Sequence, residues 1–171
     1  MSMKKLIFTA AIAAGSFIAK AQSVEKPITY SLGIHGALPT GDLSTFSGFG
    51  YGLSVQGEYK IIPSLGLTGS IGFLNYAGKS FTLGGVPYTY GTTTQVPVLV
   101  GAKLYLNYNV FVTGQLGLSF FNNGQGTAFT YSPGVGTRLG NGNFDLTLRY
   151  LAAPKDGGSL SSLDLRLAYN F

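Results

Sequence analysis

The sequence predicts an all-β chain: an eight-stranded antiparallel up-and-down transmembrane β-barrel, preceded by a cleavable signal peptide. Three observations carry that expectation. The last nine residues, Leu163-Asp-Leu-Arg-Leu-Ala-Tyr-Asn-Phe171, alternate apolar and polar without a fault and stop on an aromatic. Only 10% of the residues are charged, against about 25% in a typical soluble domain, so one face of the sheet must avoid water. The chain opens with an export-type leader, and beyond it no stretch approaches the roughly 20 apolar residues of a spanning helix. A membrane chain without such a helix satisfies its backbone only by closing a barrel.

The leader comes first. Lys4 and Lys5 precede an apolar run from Leu6 to Ile18, and Ala19-Lys20-Ala21 follows, the charge, core and small-residue order of a secretory signal. Residues 1–21 are therefore expected to be cleaved, leaving 22–171 as the barrel domain. Without the three leader lysines the balance is eight basic and six acidic residues, a net of +2. The remaining cations are scattered singly, which excludes a nucleic-acid surface. The absence of cysteine excludes a disulfide framework, a thiol nucleophile and a lipid-modified Cys at the cleavage point.

Period-2 alternation between turn signals gives the strands in order. The first is Thr29 to Leu38, with Tyr30, Leu32, Ile34 and Leu38 opposite Ser31, Gly33, His35 and Ala37. The second, Phe49 to Ile61, is the clearest, with Phe49, Tyr51, Leu53, Val55, Tyr59 and Ile61 opposite Gly50, Gly52, Ser54, Gln56, Glu58 and Lys60. The third is Leu65 to Tyr76 and the fourth Thr94 to Leu106, where Pro97 and Leu99 blur the polar face. The fifth is Val110 to Phe121 and the sixth Thr127 to Leu139, in which Pro133 cannot donate a ladder bond and suggests a bulge or local break. The seventh, Asn143 to Ala152, alternates Phe144, Leu146, Leu148 and Tyr150 with Asp145, Thr147 and Arg149, and Ser161 to Phe171 closes the chain.

Connections alternate in length. Short ones fall at Ile62 to Ser64, Asn107 to Asn109 and Gly140 to Gly142; longer ones at Pro39 to Gly48, Ala77 to Thr93, Asn122 to Gly126 and Ala153 to Leu160. Short turns inside and longer loops outside is the bacterial outer-membrane layout, which puts both termini in the periplasm. Within the second loop, Lys79 to Leu83 and Val86 to Tyr90 flank Gly84-Gly85, the pattern of a hairpin.

The polar face identifies the inside. It consists mostly of Gly, Ser, Thr and Gln, too bland for a soluble surface but suited to a narrow interior that side chains can fill. Glycines at 33, 50, 52, 66, 72, 101, 117, 134 and 136 fall on it and should make room for long side chains from opposing strands. On the outer face Phe49, Tyr51, Tyr59, Phe73, Phe120, Phe129, Tyr150, Tyr169 and Phe171 are candidates for interfacial aromatic girdles, in a chain that has no Trp.

With these features the mature chain resembles the small eight-stranded outer-membrane barrels of Gram-negative bacteria, the outer-membrane protein A and X type of the porin-like class. The resemblance rests on strand count, turn asymmetry and the terminal ladder of Leu163, Leu165, Leu167, Tyr169 and Phe171. It implies that those five residues form the signal read by the barrel-insertion machinery. Contact with outer-membrane lipid including lipopolysaccharide and possible surface partners at the outer loops are expected, and closure of the sheet, which removes the edges that would force pairing, favours a monomer. The peptidoglycan-binding domain of the two-domain members has no counterpart in this sequence.

Chemistry on the inner face is sparse. Lys60, Lys103, Arg138, Arg149 and Arg166 oppose Glu58, Asp145 and Asp164, most of them in the periplasmic half, and are expected to form one interior network that plugs and rigidifies the barrel. His35 is the sole histidine; Gly33 and Ala37 flank it on its face and the acids cluster nearer the other end, so no catalytic residues are assigned and a lipid-modifying enzyme is a remote alternative. One His and no Cys also argue against a metal, and no cofactor is implied. The expected role is structural or surface-interacting. The alternative is a narrow pore through a glycine-lined upper lumen, weakly anion-preferring because five basic groups face three acidic ones, with Arg138, Arg149 and Arg166 as its filter.

Overall fold

The computed structural model describes residues 28–84, 86–122, 124, 126–155 and 158–171. The expected signal peptide and cleavage point lie outside the described residues. Eight long strands close into a barrel: β1 (Ile28–Gly41), β2 (Ser47–Ile62), β3 (Leu65–Gly78), β6 (Thr93–Tyr105), β7 (Val110–Phe121), β8 (Gly126–Leu139), β9 (Phe144–Lys155) and β10 (Gly158–Asn170). Each pairs antiparallel with its chain neighbours, and β10 returns to β1 with Leu32 opposite Tyr169 and Ala37 opposite Asp164. Two short strands, β4 (Ser80–Leu83) and β5 (Val86–Thr89), form the separate hairpin expected in the second long loop.

Alternation sorts the two faces as the polarity pattern requires. Leu32, Ile34, Leu53, Val55, Ile71, Val100, Leu116 and Leu165 are exposed on the outside, while Ser31, Ser54, Glu58, Thr68, Gln115, Ser132, Asp164 and Arg166 are buried inside. An apolar exterior around a polar interior inverts the soluble arrangement and fits a hydrocarbon solvent.

The strands run further toward the long-loop end than alternation alone suggests. β9 reaches Lys155 and β10 begins at Gly158, so residues 153–155 and 158–160, expected as part of a long loop, are strand ends that pair with each other. The reason is burial, because Leu151, Ala153 and Leu160 point inward and are at most 6% exposed. They join Ala37, Leu74, Tyr76, Leu99, Phe121 and Ala128 in one apolar cluster, which corrects the expectation of a glycine-lined upper lumen.

A single helical turn, α1 (Leu43–Phe46), seats the fully buried Leu43 on this cluster, with Phe46 packed alongside. The chain enters it through Gly41, whose φ of +58° and close approach to the Ser159 carbonyl admit no side chain. Asp42 Oδ2 accepts from Ser159 N at 2.6 Å, tying the first loop to β10.

Pro133 produces no bulge. β8 continues through it with its β7 partner Gly114 in register, and the register to β9 is the same on either side of positions 132 and 133, which it skips. The missing N–H thus interrupts one ladder without shifting either strand.

Candidate functional site

The interior charged groups in ion pairs divide into two clusters rather than one network. Nearer the short turns, Lys103 Nζ donates to Asp145 Oδ2 at 2.5 Å and to Glu58 Oε2 at 3.1 Å, bridging carboxylates from β2 and β9. Tyr105, which sequence reasoning missed, donates to Glu58 Oε1 at 2.6 Å and accepts from Arg138, whose guanidinium carbon lies 4.2 Å from the ring centroid. Arg138 Nε approaches Asp145 Oδ1 at 3.7 Å, an ion pair without a hydrogen bond. The ammonium of Lys103 also sits 4.2 Å from the centroid of the buried Phe111 ring. Among the described residues Lys60 makes no ion pair, and it contacts the Tyr105 ring at 5.7 Å.

The second cluster lies toward mid-barrel. Asp164 receives Arg149 Nε at 2.5 Å and His35 Nδ1 at 3.0 Å, and the other histidine nitrogen, Nε2, lies 2.7 Å from Ser54 Oγ. Arg166 donates to Ser54 Oγ and to Ser31 Oγ, both at 2.9 Å. The sequence reading places the acids away from His35 and finds no serine two residues from it on its own face; closure of β10 onto β1 overturns the first point and the neighbouring strand β2 supplies the serine. His35 with Asp164 and Ser54 with Arg166, from opposite ends of the sequence, meet here because the sheet is closed.

Ser54, His35 and Asp164 thus form the hydrogen-bonded order of a nucleophile, a base and an orienting acid. Access decides what that order can do. The His35 and Asp164 side chains are 0% exposed and Ser54 is 6% exposed, with Arg166 held against the serine oxygen. The arrangement locks these side chains together inside the barrel.

Small residues admit these groups. A Cβ at Gly33 would stand 2.6 Å from Arg166 Nε, and one at Gly66 2.6 Å from Glu58 Oε1. The space serves side chains of the adjacent strand laid sideways, not of the opposing strand as expected. Gly52, Gly101 and Gly117 instead face neighbouring backbone carbonyls too closely for any side chain.

Above both clusters, Tyr76 Oη donates to Gln95 Oε1 at 3.0 Å and contacts Ser162 Oγ at 2.9 Å, while Gln95 Nε2 donates to Ser119 Oγ at 2.9 Å. Between the clusters a small void is lined by Gln56, Lys103, Phe111, Thr113, Gln115, Thr147, Arg149 and Arg166. Among the described residues no group of His and acidic side chains is arranged to hold a metal ion.

The nine girdle candidates all stand exposed on the outer face in two bands. Phe49, Tyr51, Phe73, Phe120, Phe129 and Tyr150 lie toward the long loops, and Tyr59, Tyr169 and Phe171 toward the short turns. The terminal ladder Leu163, Leu165, Leu167, Tyr169 and Phe171 is exposed throughout, and Phe171 N donates to Tyr30 O at 2.9 Å.

No protein-family model and no curated protein sequence matches this chain. Its fold does match solved structures. Ail, the attachment invasion locus protein of Yersinia pestis, superposes with a TM-score of 0.60 at 19% identity, over 84% of this chain and 97% of that one. Ail has also been solved with the heparin analogue sucrose octasulfate, a structure that matches at a TM-score of 0.56. The N-terminal β-barrel domain of Pseudomonas aeruginosa OprF matches at 0.51 with 13% identity, over 84% of this chain and 97% of that one. The outer-membrane enzyme PagL matches at 0.51 with 16% identity, over 80% and 98%. An enzyme and an attachment protein on one fold leave function to the particular side chains. With eight closed strands, an apolar exterior and these neighbours, the chain has the fold of a small eight-stranded outer-membrane β-barrel.

Proposed function

We propose that this protein is exported to the bacterial outer membrane, resides there with both termini periplasmic, and serves a structural or surface-interaction role without catalysing a reaction. Its interior is closed to solutes. The observation that carries this reading is the apolar cluster across the long-loop half, where Tyr76, Leu74, Leu99 and Leu151 are 0–1% exposed. Below it two charge clusters occupy an interior of a size that side chains fill.

Recognition then falls to the long-loop end. The β4–β5 hairpin stands apart from the barrel sheet, with Tyr88 and Tyr90 49% and 43% exposed. Phe46 and Tyr90 pack at 6.4 Å between centroids, joining the first two long loops. Aromatic side chains on a loop held by a rigid scaffold are a common recognition surface. The aromatic bands and the terminal ladder contact lipid, including lipopolysaccharide, and the insertion machinery reads the ladder during assembly. Sheet closure leaves no strand edge that would force association, so the barrel acts as a monomer.

The deciding experiment is single-channel recording of the purified, folded protein in a planar bilayer, with folding checked by heat-sensitive gel mobility. A folded, silent barrel is expected. Stable unitary steps with anion preference would replace this reading with the pore.

A further inference from the structure

We propose that the void between Arg166, Arg149 and Lys103 is a binding site for one monatomic anion, with chloride the natural occupant. The inference rests on the closed interior proposed above and concerns what completes it. Three carboxylates, Glu58, Asp145 and Asp164, face four cations, Lys103, Arg138, Arg149 and Arg166, within the two clusters. Glu58 and Asp145 are taken by Lys103 and Arg138, and Asp164 by Arg149 and His35. Lys60 is partly exposed and stays outside these pairs, and Arg166 is the buried cation left over.

Arg166 is 3% exposed and, among the described residues, makes no ion pair. Its acceptors are two neutral hydroxyls, Ser54 and Ser31, and its remaining terminal nitrogen has no hydrogen-bond partner among the described residues. A buried charge with only neutral partners is strongly disfavoured unless a counter-ion completes it. Arg149 also turns loosely held donors to this region, since its terminal nitrogens reach Gln115 Oε1 and His35 Nδ1 only at 3.5 and 3.4 Å.

The lining selects the occupant by charge and size. It holds three cations, two amides and two threonine hydroxyls, with no carboxylate. One cation in excess calls for a single negative charge. The void is small, with room for about one water-sized occupant, which favours a halide over phosphate, sulfate and organic carboxylates. A water would fit equally well but would leave Arg166 uncompensated.

The test uses the barrel purified from membranes, unfolded by urea in detergent at constant ionic strength while chloride replaces gluconate. With one ion bound only by the folded state, the folding constant should rise about tenfold for each tenfold rise in chloride above the dissociation constant. Gln56→Glu places a fixed carboxylate in the lining and should abolish that dependence, with stability in gluconate at least that of the wild type. Arg166→Gln should abolish it too. Crystals grown in bromide should carry one anomalous peak among Arg166, Arg149 and Gln115. Identical unfolding in chloride and gluconate, chloride dependence surviving in Gln56→Glu, or water alone in the void would each overturn the site. An open lumen would show itself separately, as bilayer conductance.

Discussion

Arg149 Nε stands 2.5 Å from Asp164 Oδ2 inside the barrel, and His35 Nδ1 closes on the same carboxylate at 3.0 Å. One acid on the last strand thereby holds β9 and β1 to β10, across the seam where the sheet closes. Removing one partner of a buried pair leaves the other uncompensated, at a cost of about 3–5 kcal/mol. Asp164→Asn should therefore lower the urea midpoint in detergent and the temperature at which gel mobility shifts. Adding Arg149→Met should restore part of the loss, since the stranded charge is then gone. Purely additive losses would mean that the pair is wetted by solvent.

Ser54 sets the enzyme reading against the structural one. Its oxygen lies between His35 Nε2 and Arg166 Nε, the surroundings of an activated nucleophile, yet it is 6% exposed. The folded barrel should not be labelled at Ser54 by a fluorophosphonate, as read by peptide mass. Ser54→Ala should cost about 1–3 kcal/mol, the penalty for leaving a buried donor without its acceptor. Stoichiometric labelling that His35→Ala abolishes would instead make the triad catalytic.

The strands and their faces were legible because a two-residue period survives single-sequence reading: Glu58, Lys103, Asp145, Asp164 and Arg166 all lie buried on the predicted side. The apolar cluster was not legible for the same reason. Leu74, Tyr76, Leu99, Leu151 and Leu160 occupy inward positions, so each reads as noise in a polar face or as loop until the closed barrel stacks them together. The pairing of His35 with Asp164 and Ser54 needed closure and register, which alternation does not supply. Tyr105 sat at the end of a predicted strand with no sign that cations surround it.

Two glycines separate space from conformational freedom. A Cβ at Gly33 would crowd the Arg166 guanidinium, whereas one at Gly69 would meet nothing within 4 Å. Gly33→Ala should destabilise by about 1–3 kcal/mol, the usual cost of overpacking. Gly69→Ala should be neutral or stabilise by up to about 1 kcal/mol, because it reduces the freedom of the unfolded chain. Equal urea midpoints for the two variants would refute a packed interior around Arg166.

Phe171 distinguishes assembly from stability. Its ring stacks edge-on against Tyr169 at 5.3 Å and its N–H bonds Tyr30 O at 2.9 Å, where β10 meets β1. The ring is nonetheless 58% exposed, so little interior packing depends on it. Phe171→Ala should remove one aromatic pair, about 0.5–1.5 kcal/mol, and keep the backbone bond, leaving refolding into detergent nearly intact. In cells it should sharply reduce the heat-modifiable protein recovered in outer membranes, because the terminal aromatic is proposed to be read during insertion. A variant that assembles normally would remove that role from Phe171 and leave the terminal ladder as lipid-facing surface alone.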